Sequence, residues 1–254
     1  MSDFDRNYGA ARSGVGADRA VAIDQGLRAY MIRVYNYMAV GVALTGVVAW
    51  LAFQAAGGDA ITAGRGGLTS FGQLVLSFPG QIGLFLGTLG LVFFISWRID
   101  RLQPSTAFSL FMLYAALLGV MLCSIFVVYT GVSISRTFFI SAAAFGALSL
   151  YGYTTQRDLS PIGAFLIMGV IGIIIAMVVN LFLQSTQLDF IISAIGVLCF
   201  AGLTAYDTQR IKEMYDPMED GTVVGRKAVM GALTLYLDFI NLFLFLLRFL
   251  GDRR

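Results

Sequence analysis

The sequence predicts an all-α membrane protein with seven transmembrane helices. Of its 254 residues, 58% are hydrophobic and only 13% are charged, whereas a water-soluble domain carries about 25% charged residues. Seven runs of the sequence are mostly apolar and come near the roughly 20 residues that a helix needs to cross a bilayer. The 29 glycines fit this class, because glycine lets membrane helices approach one another closely.

The predicted spans follow one another with mostly short connections. They cover residues 34–54, 80–97, 106–129, 137–154, 161–183, 190–209 and 228–249. Breaker residues mark several boundaries, with Pro79 before the second span and Pro104 before the third. Only the connection 55–79 is long, and its glycine and polar content predicts an exposed loop with a short amphipathic piece at 71–78.

Ahead of the spans lies a polar segment without the central apolar stretch of a cleavable signal peptide. We therefore divide the chain into a polar N-terminal tail, 1–27, and a seven-helix transmembrane domain, 28–254.

The lysines and arginines predict the orientation, since they are enriched on the cytoplasmic side of membrane proteins. With the N-terminus in the cytoplasm, the inner segments hold twelve of them and the outer segments hold five. The C-terminus is then outside. The terminal arginines at 248, 253 and 254 count against this, and a seventh segment that does not fully cross would place them inside.

Asp238 is a carboxylate in the middle of the last apolar run, LYLDFINLF. An ionised aspartate at the centre of a membrane helix costs about 3 kcal/mol on the insertion scale, so it should face the protein interior and find a partner. A structural hydrogen bond to another helix is one interpretation, and an ion or proton site is the one that we favour. Thr234 and Asn241 share its helix face, at i−4 and i+3, and predict a polar stripe.

Asp207, in LTAYDTQRIK, has two interpretations that depend on where the sixth helix ends. If the helix ends at Arg210, Asp207 is a solvated charge one turn from the surface. If the helix runs on to Met214, Asp207 lies about 10 Å deep, at 1.5 Å per residue. Asp238, in a helix that starts near Ala228, would lie about 15 Å deep, so the two carboxylates could meet.

The complete absence of histidine excludes several functions. Serine and metal-dependent intramembrane proteases need histidine as a rule, and the GxGD motif of intramembrane aspartyl proteases is missing. A retinal protein needs a lysine in the last span, which has none after Lys227. The net charge of +2 is too small to indicate a nucleic-acid partner. We expect no enzymatic activity and no resident cofactor.

Three segments resemble the signatures of the Bax inhibitor-1 family, specifically its bacterial branch. They read GALTLYLDFINLFLFLLRFLG, GLTAYDTQRIK and SLYGYTTQRDLS. The resemblance implies a seven-helix inner-membrane protein whose last helix is central and wrapped by the other six. It also implies a pH-sensitive calcium leak in which Asp207 and Asp238 form the proton-sensing pair. A basic residue at the end of the second helix is associated with that pair, and SWRIDRL offers Arg101 first and Arg98 second.

The physical chemistry of the two carboxylates agrees with this role. In a poorly solvated site they cannot both ionise cheaply, so they titrate as a unit. Their oxygens are the type of ligand that calcium prefers, but calcium takes six to eight, so we expect weak or transient calcium binding at Asp207 and Asp238, helped by Thr234 and Asn241. The alternative is a non-conducting regulator that binds other membrane proteins, such as a membrane protease, through its glycine faces.

Overall fold

The computed structural model describes the backbone of residues 3–64 and 66–254, with side chains from residue 25 onwards. Ten α-helices follow one another over these residues. They are α1 (Asp3–Ala56), α2 (Gly58–Thr62), α3 (Ser70–Leu76), α4 (Phe78–Arg98), α5 (Pro104–Leu122), α6 (Ile125–Val128), α7 (Gly131–Thr154), α8 (Ser160–Leu183), α9 (Thr186–Glu213) and α10 (Gly221–Leu250).

Seven of these helices, α1, α4, α5, α7, α8, α9 and α10, are long and apolar enough to cross a membrane. The prediction of seven spans is therefore confirmed. The helix α1 begins at Asp3, so its backbone continues through most of the segment assigned to the polar tail 1–27. The side chains of residues 1–24 lie outside the described part of the chain, and the boundary between tail and membrane domain stays a prediction.

Local sequence signals begin the helices. Pro79, Pro104 and Pro161 stand in the first turns of α4, α5 and α8, where proline costs no helical hydrogen bond. The hydroxyl of Thr130 accepts a hydrogen bond from the backbone N–H of Ser133, and the carboxylate of Asp220 accepts one from that of Thr222. These caps satisfy backbone donors that the first turn of a helix leaves free.

The connection 55–79 contains the two short helices α2 and α3. The second of these confirms the expected short piece near 71–78, although it starts at Ser70 and ends at Leu76. Gly72 sits against the backbone of Ala56, where a Cβ atom would collide, and the hydroxyl of Thr69 donates to the carbonyl oxygen of Ala55 at 2.7 Å. The segment is thus folded onto the end of α1.

The last helix is the centre of the bundle. In α10, 72% of the residues in the most apolar stretch are buried, against 11% in α4 and 17% in α8. Its main neighbours are α9, α1, α7 and α5, while α4 packs chiefly on α5 and α8 on α9. The expectation of a buried central helix is confirmed, with α4 and α8 in the outermost positions.

The helices α9 and α10 are both longer than the apolar runs of the sequence indicate. The helix α10 begins at Gly221 rather than near Ala228, because a helix can continue through polar residues beyond the bilayer. Gly231 lies against Ile211, and the ammonium group of Lys227 donates to the carbonyl oxygen of Met214 at 2.8 Å. The first two turns of α10 therefore extend past the end of α9.

Candidate functional site

The position of Asp207 follows from where α9 ends. This helix runs to Glu213 with Met214 as its C-cap, which is the longer of the two possibilities considered from the sequence. Asp207 then lies about 9 Å along the helix from its end, at 1.5 Å per residue. Its side chain is half-buried, while Asp238, in the middle of the central helix, is only 5% exposed.

The side chains of Asp207 and Asp238 lie within hydrogen-bonding reach of each other. Among the described residues, no N–H or hydroxyl group donates to Oδ2 of Asp238, although this atom is buried. Two carboxylates in contact can form a hydrogen bond only when they share a proton, since an ionised carboxylate is an acceptor alone. The arrangement is suited to hold a proton or a cation between α9 and α10.

The other two residues of the expected polar stripe lie on the same helix as Asp238, and no hydrogen bond among the described residues joins them to the aspartates. Thr234 and Asn241 are half-buried on the continuous helix α10. The amide nitrogen of Asn241 donates to the carbonyl oxygen of Leu237 on its own helix at 2.8 Å. The carbonyl oxygen of that amide is thus the atom that Asn241 can offer to a ligand.

The expected arginine partner is not paired in this structure. Arg98 ends α4 and Arg101 ends the 3₁₀ turn after it, and both side chains are exposed. Within the described part of the chain, neither forms an ion pair with Asp207 or Asp238. The cation whose charge acts on Asp207 is instead Arg210, which is three residues further along α9. The cause is position. The helix α4 packs on α5, and the 3₁₀ turn meets α10 near Arg226, which donates to the carbonyl oxygen of Asp100 and lies about 18 Å along the helix from Asp238.

A chain of hydroxyl groups that the sequence analysis missed connects three helices beside Asp207. The hydroxyl of Tyr35 on α1 lies 2.6 Å from that of Ser149 on α7, which lies 2.8 Å from that of Thr208 on α9. Thr208 in turn donates to the carbonyl oxygen of Thr204. The sequence pattern does not indicate this network. Each of its residues is common in membrane helices, and only the tertiary fold brings them together.

Aromatic side chains pack between α10 and α7 next to Asp238. The ring of Phe239 packs edge-on against Phe145 and Phe138 of α7, at centroid distances of 5.6 and 5.7 Å. Further along, the C-terminal residues after α10 fold back, with a β-bridge between Tyr129 and Arg253.

An ionic cluster at the C-terminal end of α10 was also missed. Asp189, in the first turn of α9, pairs with Arg248 at 3.5 Å and with Arg253 at 3.4 Å. Arg248, which the sequence analysis counted only for orientation, thus has a carboxylate partner. An acidic residue in the first turn of a helix is a common dipole partner, so Asp189 gave no distinct signal.

No group of three or more cysteine, aspartate or glutamate side chains is placed to hold a metal ion within the residues that the structure describes. Calcium would therefore meet two carboxylates at most at the aspartate pair, which falls short of its preferred six to eight oxygen ligands.

Comparisons with known proteins agree with the motifs. The sequence model of the family described as "Inhibitor of apoptosis-promoting Bax1" matches residues 27–254. The inner membrane protein YbhL of Escherichia coli K12 is 45% identical over 243 residues, which cover 94% of this chain and 97% of that protein. Uncharacterized proteins of Rickettsia prowazekii and Caulobacter vibrioides are 46% and 42% identical, over 91% and 100% of this chain and 92% and 100% of their own lengths.

Proposed function

Because the chain belongs to the Bax inhibitor-1 family, we propose that it is a pH-sensitive cation leak of the bacterial inner membrane, with calcium among the ions that it passes. The relative YbhL is named as an inner membrane protein, which supports this location. Asp207 and Asp238 are the proton-sensing pair in this proposal, and cations pass along the α9–α10 interface.

The observation that carries the proposal is the buried contact between Asp207 and Asp238, with Oδ2 of Asp238 lacking any other described donor. A proton shared between the two carboxylates leaves one negative charge and a short O–H···O⁻ hydrogen bond. This bond ties α9 to α10. A purely structural hydrogen bond between helices could be made by neutral side chains, without the free-energy cost of an ionisable group in the middle of the membrane.

A change in the number of protons on the aspartate pair alters the hydrogen bond between α9 and α10. Full deprotonation places two like charges in contact, and full protonation removes the charge that a cation would compensate. Either change weakens the shared-proton bond, so helix separation and ion passage vary with pH in the range where the pair titrates. Carboxylate oxygens, the amide oxygen of Asn241, the hydroxyl of Thr234 and water offer a cation a transient set of oxygen ligands.

The proposal is tested by measuring calcium entry into liposomes that contain the purified full-length protein, at a series of pH values. We expect flux that exceeds that of protein-free liposomes and changes with pH. Absence of flux at every pH would overturn the leak and leave the regulator as the remaining function.

A non-conducting regulator is the second candidate, and one observation favours it. Gly83, Gly87 and Gly90 lie on the outer helix α4, and the space beside each of them is open. On α1 and α8 such a stripe is interrupted, because Gly41 packs against Phe111 and Gly169 against Cys199, while Gly46 and Gly172 are open. Membrane helices associate through such small-residue stripes, so α4 is the face on which a partner helix would dock.

A further inference from the structure

A second, apolar site lies between α1 and α7 at the end of the bundle where α1 carries Arg28. The two helices pack on α10 rather than broadly on each other, and the gap between them forms a groove of about 440 Å³ that opens sideways. This volume lies within the range of small-molecule pockets, about 300–1,000 Å³. We propose that this groove is a binding site for one acyl chain of an anionic phospholipid whose phosphate contacts Arg28.

The walls of the groove fit a hydrocarbon chain. They include the exposed apolar side chains of Ile32 and Leu150, and the ring of Phe145 lines it further in. From Tyr153 to Phe145 the groove follows α7 for about 12 Å, at 1.5 Å per residue. That length is close to half of the roughly 30 Å hydrocarbon core, so the groove matches the reach of one lipid leaflet.

The mouth of the groove carries positive charge. Arg28 lines it, is exposed and forms no ion pair with any described residue. Lys212 does not line the groove but contacts its wall, since its ammonium group donates to the carbonyl oxygen of Tyr153 at 2.9 Å and lies 5.4 Å from the centre of that ring. Arg28 in the groove, with a second cation beside Tyr153, complements a lipid with a net negative headgroup, since each basic residue near a membrane surface attracts anionic lipid.

A second groove between α1 and α7 differs from the groove at Arg28 in having no basic side chain. It has a volume of about 530 Å³ and is lined by Gly46, Phe138 and other mostly apolar residues, with the hydroxyls of Thr45 and Ser135 but no charged side chain. Ordinary bilayer lipid can fill this groove whatever its headgroup. Of these two grooves, the one at Arg28 combines an apolar wall with a basic side chain, and this combination selects an anionic lipid.

The glycines of the two grooves supply matched variants. Gly146 lines the groove at Arg28 and Gly46 lines the uncharged one, and a Cβ at either position would meet no atom within 4 Å. Gly146→Leu therefore adds apolar bulk in the proposed site from a position with room for the Cβ atom, and Gly46→Leu does the same in the control groove. Arg28→Gln removes the cation from an exposed position and leaves the packing unchanged.

The test is native mass spectrometry of the full-length protein in a neutral detergent, with added phosphatidylglycerol or phosphatidylcholine of the same acyl chains. We expect more phosphatidylglycerol than phosphatidylcholine to stay bound to the unmodified protein. Arg28→Gln should lower the bound phosphatidylglycerol about fivefold and Gly146→Leu should abolish its excess, whereas Gly46→Leu should retain it. Glycerol 3-phosphate, the headgroup portion without acyl chains, should not bind.

Three results would overturn the proposal. They are equal retention of the two lipids, an excess of phosphatidylglycerol that survives both Arg28→Gln and Gly146→Leu, and a dimer of the chain that occupies the face in place of lipid.

Discussion

The hydroxyl of Tyr236 on α10 lies 2.6 Å from the hydroxyl of Thr45 on α1, in the interior of the bundle. Thr45 also lies within hydrogen-bonding distance of the carbonyl oxygens of Gly41 and Ala115, and the rings of Phe111 and Tyr114 pack edge-on against Tyr236. One residue of the central helix thus joins α1 and α5 to it, two positions before Asp238.

We expect Tyr236→Phe to reduce the stability of the bundle, because it removes this hydrogen bond but keeps the ring. Interhelix hydrogen bonds in membrane proteins contribute about 1 kcal/mol, which corresponds to a loss of roughly 2–4 °C in Tm for a chain of this size. Thermal unfolding in detergent measures the change. Tyr151→Phe, at an exposed position on α7, is the control, and an equal loss in both variants would contradict the role of the bond.

A second stability prediction concerns the contact between α7 and α9. A Cβ at Gly152 would collide with the carbonyl group of Ala205, whereas one at Gly146 on the same helix would meet open space. Gly152→Ala should therefore destabilise the protein by about 1–3 kcal/mol through overpacking. Gly146→Ala should be neutral or stabilise by up to about 1 kcal/mol, because alanine favours helix. Similar melting temperatures for the two variants would show that the close approach is not needed.

Arg210 is the cation that we expect to tune the aspartate pair, since its charge acts on Asp207. Arg210→Gln should move the midpoint of the pH response of calcium flux to higher pH, because loss of a cation makes the two carboxylates harder to ionise. The expected shift is roughly 0.5–1 pH unit. Arg101→Gln is the comparison. A shift in that variant and not in Arg210→Gln would mean that the arginine after the second span contacts the pair in another conformation.

The orientation of the chain stays a prediction that reporters can check. The excess of lysine and arginine in alternate connections places the N-terminus in the cytoplasm. A reporter fused after Arg101 or within 212–227 should be cytoplasmic, and one within 57–70 should be periplasmic. Inverted signals at two or more of these sites would overturn the orientation.

The seven helices could be predicted because the bilayer demands long apolar runs, and those runs are visible in the sequence. The start of α10 could not, since Gly221 to Lys227 are too polar to belong to an apolar run and yet are helical. Hydropathy locates the part of a helix that lies in lipid, whereas backbone hydrogen bonds determine where the helix itself begins.

The closeness of the two aspartates was predictable, while their role stays a prediction. The depth of Asp238 and the family motifs indicated that it should meet Asp207, and the two side chains are in contact. The Asp189–Arg248 ion pair and the Tyr35–Ser149–Thr208 chain were not predicted. Both depend on the rotation and register of neighbouring helices, which a single sequence does not specify.

The central claim is that Asp207 and Asp238 titrate as a unit that controls cation passage. The most direct measurement is the pH profile of calcium flux in liposomes for the unmodified protein, Asp207→Asn, Asp238→Asn and the double variant. Each single variant should flatten the profile, and the double variant should do little more, because the two residues act together. Glu213 is an exposed carboxylate on α9, the helix of Asp207, and Glu213→Gln should keep the original profile. Single variants that both retain the unmodified pH profile would contradict the account.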